Sequence, residues 1–357
     1  MTASPGDDAH FVAWAAAQGD PVEPAAFVPR RRYGDYLAAV FAELVRAEAG
    51  RVVAVRDDAV GPDVDRDGAT VRLAGGAALD AERVVLALGN PPPIGRGAAE
   101  APRAVADPWA PGALEGVDGS VLVLGTGLTM VDVTTTLTRA SPGTRVTATS
   151  RGLLLPRTHL DVPVPPGPGL RPAGASLGAV LSAFTARLRA ASAEGRPWQA
   201  EVDGVRPQVN ALWAALSVPD RRRFVGRVSR RWEVRRHRMA PAVAAEVAAL
   251  RADGRLRLEP AVDPGAFDVV VDATGPRATA ATGWSPLLDR LVASGSARPD
   301  ALGIGIDVTA EGSVRDATGT ASAVLWALGP ARRGSQWEST AIPEIRQHAV
   351  ALADASD

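Results

Sequence analysis

The residues best arranged for chemistry are Gly125, Thr126 and Gly127. They sit between an apolar run, Val121-Leu122-Val123-Leu124, and the segment Leu128-Thr129-Met130-Val131-Asp132. Gly125 permits a tight turn. Gly127 has no side chain, so a diphosphate can approach the backbone. A helix beginning at Leu128 and Thr129 offers that anion free N–H groups and the positive end of its dipole. Met130 stands where the dinucleotide fingerprint has a third glycine, which predicts looser or tilted packing of helix on strand. A glycine pair alone is weak, and an ordinary strand–turn–helix is the bland alternative. The strand before, the helix after and a further strand beyond are the context that the motif demands.

The next strand candidate, Arg145–Thr149, ends at Ser150-Arg151. An acidic residue there would suit a free adenosine ribose. A hydroxyl and a guanidinium suit a 2′-phosphate, which favours NADP(H) over NAD(H). Three further apolar strands end in a small residue and glycine: Leu86-Ala87-Leu88-Gly89 followed by Asn90, Asp272-Ala273-Thr274-Gly275, and Trp326-Ala327-Leu328-Gly329. Each alone is a buried strand reaching a turn.

These loops need a scaffold. Apolar runs at 83–88, 121–124, 145–149, 256–258, 268–271 and 325–328 read as strands, and 52–55 as a short one. Gly75-Gly76 marks a hairpin between 69–73 and 78–81. Helical spacing of apolar residues covers 177–188 and 209–216, and helices are also read at about 30–48, 128–139, 241–252 and 342–353. Residues 156–172 are rich in Pro and Gly and read as a loop. The run 221–238 is strongly basic and reads as a solvated helix face, with attraction of an anionic substrate or of NADP phosphates as the functional alternative. Strands alternating with helices predict a parallel, doubly wound α/β sheet.

Composition excludes several chemistries. The 357 residues contain no cysteine and no lysine, and every one of the 39 cationic residues is arginine. Thiolate nucleophiles, disulfides, Cys-ligated metals, Schiff bases and a phosphate-loop lysine are therefore ruled out. The four histidines, His10, His159, His237 and His348, show no metal-ligand spacing, so no metal is expected. For His237 a structural hydrogen bond is expected over acid–base catalysis. A net charge of −1 argues against nucleic-acid binding. No apolar run reaches the ~18–20 residues of a membrane span, and the polar start MTASPGDDAHF is unlike a signal peptide. A soluble cytoplasmic protein is expected.

The arrangement of these strand ends around Gly125 resembles flavoprotein oxidoreductases in which an NAD(P) domain is inserted into an FAD domain. Longer segments narrow the resemblance: Phe27-Val28-Pro29-Arg30-Arg31-Arg32-Tyr33-Gly34-Asp35-Tyr36, Asp107-Pro108-Trp109, Arg236-His237-Arg238-Met239-Ala240-Pro241 and Trp337-Glu338-Ser339-Thr340-Ala341-Ile342-Pro343-Glu344. They are similar to a bacterial FAD/NAD(P)-binding family related to L-aspartate N-monooxygenases and a flavin-dependent urate hydroxylase. The resemblance implies two Rossmann-like, three-layer dinucleotide domains. The FAD domain is expected at 1–105 and 281–357, the NAD(P) domain at 106–280, and a helical insertion at about 175–252.

The same resemblance implies FAD and NADP as cofactors. Trp337 and Thr340 would lie at a helix start facing the flavin's pyrimidine side, and Arg30–Arg32 would lie near the flavin. The family opens with a strand and a Gly-rich loop for the FAD diphosphate. Here Met1-Thr2-Ala3-Ser4-Pro5 corresponds to a point inside that domain, so roughly 50–60 residues, a β-α-β start, are expected to be missing. A start set too late and a true truncation both remain open, and FAD binding with them. The expected function is an NADPH- and FAD-dependent oxidoreductase of the monooxygenase type. Its substrate would be a small molecule such as an amino acid or other small amine. A reductase is equally consistent, and the alternative is a non-catalytic NADP(H)-binding protein or an inactive fragment. Neither catalytic residues nor oligomeric state can be read from the sequence.

Overall fold

The computed structural model describes residues 2–95 and 102–354. Residues 96–101 and 355–357, placed in the first domain from sequence, lie outside them. The chain divides into two units, one of 1–89 with 279–357 and one of 90–278.

The first unit opens with helices α1 (His10–Ala17) and α2 (Arg30–Ala47), then strands β1 (Ala59–Val64), β2 (Ala69–Leu73), β3 (Ala78–Ala81) and β4 (Val84–Leu86). Strands β1, β2 and β3 form an antiparallel sheet. The expected hairpin is present as β2 and β3. The short strand expected at 52–55 is not formed: Val53 and Val55 are exposed, and only an isolated bridge joins Ala49 to Val52.

The second unit contains β5 (Arg103–Val105), β6 (Ser120–Leu124), α3 (Leu128–Ala140), β7 (Arg145–Thr149), α4 (Leu177–Ala193), α5 (Trp198–Val205), α6 (Val209–Ala215), α7 (Val218–Arg227), α8 (Ser229–Arg236), α9 (Pro241–Ala252), β8 (Leu256–Leu258) and β9 (Val269–Asp272). Its five strands are all parallel, in the order β5-β9-β6-β7-β8. Strand β5 thus belongs to this sheet, whereas the sequence reading ran the first domain to 105. The basic run 221–238 is two helices, interrupted at Val228. The chain returns to the first unit with α10 (Pro286–Ala293), β10 (Ser313–Arg315), β11 (Ala321–Ala327) and α11 (Ile342–Asp354), where β11 pairs with β10 antiparallel and with β4 in parallel.

Parallel strands are covered on both faces and read as unbroken apolar runs. Strand β6 shows this: Val121, Leu122 and Val123 are all fully buried. Helix α3 packs Met130, Val133 and Leu137 into the same core as β7 and β9. Met130, at the third-glycine position, is itself completely buried there. In the first unit Leu288 and Leu291 of α10 share a core with Leu325 and Leu86. Phe11, Tyr33 and Tyr36 make a separate aromatic cluster. Glu201 of α5 is buried and held by Arg187 and Arg196, which fastens α4 to α5. Among the described residues no helix is long and apolar enough to cross a membrane.

Strands β6 and β9 converge so closely that a side chain at position 125 has no room. A Cβ on Gly125 would strike the Ala273 carbonyl and stand 3.2 Å from the Thr274 nitrogen, and φ there is +112°. Gly125→Ala is expected to cost about 2–5 kcal/mol from left-handed backbone plus overpacking, read as a lowered midpoint in thermal or urea unfolding. Burial lowers His159 and His348 to about 4 from 6.5, with nearby arginines adding to the effect. Both stay neutral in the fold down to about pH 4, while the unfolded chain takes up protons near 6.5. Stability should therefore be full above pH 6.5 and fall as the pH drops toward 4. His348→Gln should flatten that fall in a pH series of melting curves.

Candidate functional site

In the second unit the parallel register brings three strand ends to one edge of the sheet. Leu124 lies beside Thr149 of β7 and Asp272 of β9. Backbone bonds close the edge: Gly125 N–H donates to the Thr149 carbonyl at 2.8 Å, and Ala273 N–H donates to the Leu124 carbonyl at 2.8 Å. Ligands of open α/β sheets bind at this carboxyl edge.

Gly127 is the residue before α3, and no side chain caps the helix start. A Cβ there would meet only the Arg230 guanidinium, at 3.6 Å. The turn is thus bare of everything except a cation. Arg230 reaches it from α8 and donates to the Leu154 carbonyl at 2.9 Å and toward the Thr126 hydroxyl at 3.4 Å. A diphosphate fits these surroundings: uncapped amides, a helix dipole and a guanidinium converge on one place. Leu128 and Thr129 form the first helical residues, both partly exposed.

Thr126 and Ser150 serve each other. Thr126 is 1% exposed, and its hydroxyl lies 2.8 Å from that of Ser150 and donates to the Leu154 carbonyl at 2.9 Å. The Ser150 hydroxyl also accepts from Leu153 N–H at 3.1 Å. These two side chains set the shape of the turns at 125–127 and 150–154. Leu153, at φ +46°, is the one non-glycine in the left-handed region among the described residues, a strain of the kind that gathers at binding sites. Arg151 leaves the end of β7 exposed.

Asp272 organises the third strand end. It is fully buried and accepts from the Thr274 N–H at 2.9 Å, from the Thr274 hydroxyl at 2.7 Å and from Gly95 N–H at 3.0 Å. Gly275 follows with φ +94°. Arg277 donates to the carbonyls of Pro92 at 3.0 Å and Pro93 at 2.8 Å. Asn90, exposed, begins this unit.

In the first unit β11 and β4 also run in parallel, and Leu328 N–H donates to the Leu86 carbonyl at 3.0 Å. Gly89 and Gly329 therefore turn at the same sheet edge, with φ of +68° and +69°. Beyond Gly329, Arg332 is 1% exposed; one nitrogen donates to the Ala310 carbonyl at 2.6 Å, while Nε and Nη1 have no partner. Burial pushes Arg332 down to about 10, opposed by the nearby Glu311. The Ser339 hydroxyl is likewise buried without a partner. Buried donors left unmatched call for a polar ligand or water, so this edge fits the polar parts of a flavin nucleotide. Trp337 is buried beneath the Arg333 guanidinium, 4.5 Å from the ring centre, and Thr340 is half-buried just before α11.

The structure thus groups Gly125 to Thr129 with Ser150, Arg151, Thr274 and Gly275 in the second unit, and Gly89 with Gly329 in the first. Arg32 bonds to Asp20, and Tyr33 and Tyr36 are buried in the aromatic cluster. His237 pairs with Glu233 at 3.0 Å. Sequence reasoning gave no role to Asp272, Arg277 or Arg332, and reached Arg230 only as one member of the basic run 221–238. A signal existed for Asp272, a lone carboxylate closing the apolar run Val269-Val270-Val271. For Arg230 the basic run was the signal, but nothing in it singles out this arginine, whose partner Leu154 is 76 positions away. Among the described residues no group of His, Asp or Glu could hold a metal ion.

Residues 1–91 match a family model described as FAD-NAD(P)-binding. No curated protein matches by sequence. Among solved structures the chain is similar to L-lysine 6-monooxygenase from Pseudomonas syringae, at TM-score 0.61 and 16% identity over 100% of this chain and 83% of that one. It is similar to an ornithine hydroxylase from Pseudomonas aeruginosa, at TM-score 0.60 and 14% identity over 99% and 82%. An ornithine N-hydroxylase from Kutzneria sp. 744, solved with reduced FAD, NADP+ and L-ornithine, matches at TM-score 0.54 and 16% identity over 99% and 83%. The chain therefore has the two-domain fold of these solved structures, and its residues 1–91 match a family model described as FAD-NAD(P)-binding.

Proposed function

We propose that the chain is an NADPH- and FAD-dependent oxidoreductase of the monooxygenase type, acting on a small amine such as an amino acid. The observation that carries the reading is the bare turn at Gly127, uncapped at the start of α3 and faced by Arg230. The solved relatives in fold that hydroxylate lysine and ornithine support the substrate class.

In this reading the second unit holds NADPH. Amides of Gly127, Leu128 and Thr129 meet the diphosphate, and Thr126 fixes the turn by its bond to Ser150. Ser150 and Arg151 lie on the adenosine side, and Thr274 and Gly275 flank the neighbouring strand end. The first unit holds FAD through the turns at Gly89 and Gly329, with Arg332, Ser339, Trp337 and Thr340 beyond them; Asn90, proposed from sequence as a cofactor contact, begins the second unit. When bound, the cofactors would supply the redox chemistry, two electrons passing as hydride from nicotinamide to flavin and on to molecular oxygen, one atom of which would enter the amine while the other left as water. The protein's share is binding, orientation and fixed positive charge: Arg230 balances the diphosphate, and Arg332 provides unmatched donors in a buried place where they act strongly.

The purified chain should show the visible bands of bound flavin and oxidise NADPH in a spectrophotometric assay. Absence of both would sink the oxidoreductase reading. Gly127→Val should raise the NADPH dissociation constant about tenfold or more by blocking the amides, with an unchanged melting temperature. Unaltered affinity in that variant would place NADPH elsewhere.

A further inference from the structure

Helix α8 carries more than Arg230. A cavity of about 460 Å³ opens beside it, within the range of nucleotide-sized sites. Its walls are apolar where Leu155, Met239, Val247 and Leu258 line it. Four arginines also line it, Arg157, Arg231, Arg235 and Arg251, and no acidic residue does. None of the four makes an ion pair among the described residues. Their recorded side-chain bonds go to backbone carbonyls: Arg231 to Arg227 at 3.2 Å, and Arg235 to Arg231 at 2.9 Å. Burial lowers the Arg235 pKa, and the neighbouring charges of Arg157 and Arg231 lower it further. Cations gathered without a counter-charge are costly unless an anion joins them.

The cavity's position identifies the anion. Leu258 ends β8 and lies beside Ala148, one residue before the end of β7, so the cavity is at the carboxyl edge where a dinucleotide's adenosine lies. Leu154 lines the cavity, and its carbonyl is the acceptor shared by Thr126 and Arg230. The glycine turn and the cavity therefore share a wall. On α8, Arg230 faces the turn, while Arg231 and Arg235, one helical turn apart, face the cavity.

We propose that this cavity seats the 2′-phosphorylated adenosine of NADPH, with the adenine on the aliphatic wall and the 2′-phosphate among Arg157, Arg231 and Arg235. The assignment rests on the NADPH reading and deepens it: the helical insertion, rather than the end of β7 alone, sets the choice of NADPH over NADH. A guanidinium fork matches a phosphate dianion, and several such forks discriminate strongly against a bare hydroxyl.

The test is calorimetric titration of the purified chain with NADPH, NADH and 2′,5′-ADP. Arg231→Gln and Arg235→Gln should each weaken NADPH and 2′,5′-ADP about tenfold to a hundredfold and leave NADH unchanged. Melting curves check the fold, and Arg235→Lys should recover part of the loss. Equal weakening of NADPH and NADH, no weakening, or loss of discrimination only in Arg151→Gln would overturn the assignment while NADPH binding by the parent chain stands. A parent chain that binds neither nucleotide would overturn the NADPH reading itself, and this assignment with it.

Discussion

Two parallel strands approach at Gly125 until backbone meets backbone, and the rest of the second unit's carboxyl edge is built around that approach. The Ala273 amide bonds to Leu124, the Gly125 amide bonds to Thr149, and no atom beyond hydrogen fits on the Gly125 α-carbon toward Ala273. This closeness fixes the direction in which the chain leaves β6. The start of α3 then has its uncapped amides held at the edge rather than buried beneath a loop. Gly125 and Gly127 thus differ in kind. One is a requirement of packing, and the other keeps a surface clear.

Arginine performs every cationic task in this chain, and the structure distributes the tasks. Arg187 and Arg196 neutralise a buried glutamate. Arg277 binds backbone carbonyls. Arg230 stands over the glycine turn. Planar, permanently charged forks suit all three roles, including phosphate contact without a proton equilibrium in the physiological range. The helices between β7 and β8 are consequently more than an appendage, because α8 brings its cations to the edge that the sheet creates.

Much of this architecture was legible in the sequence. Strands β6, β7, β8 and β9 stand out because a parallel sheet buried on both faces demands continuous apolar runs, and the glycine turn follows from one of them. Strand β1 was not legible: Gly61 and Pro62 disguise it, and its pairing with β2 carries a bulge. Residues 52–55 have strand composition but join no sheet, Val52 making only an isolated bridge to Ala49, and composition cannot show pairing. The basic run at 221–238 was read as a solvated face, with NADP phosphates or an anionic substrate as the alternative, because charge density alone does not reveal direction. What turns Arg230 inward is a carbonyl 76 positions earlier, a contact that only the folded chain creates. Thr126 and Ser150 were read from sequence as nucleotide contacts; their mutual bond, invisible in one dimension, makes them struts between the two turns.

The bonds from Arg277 to the Pro92 and Pro93 carbonyls, with that from Gly95 N–H to the Asp272 carboxylate, join the stretch where the chain enters the second unit to the stretch where it leaves. A segment whose two ends are clasped can be spliced into a host loop without prying that loop apart, which is how one module comes to reside inside another. On the entering side the clasp uses only main-chain groups, the Pro92 and Pro93 carbonyls and the Gly95 N–H, so it constrains the side chains of that stretch very little. That stretch, with its prolines, is free to change side chains while the clasp stays shut.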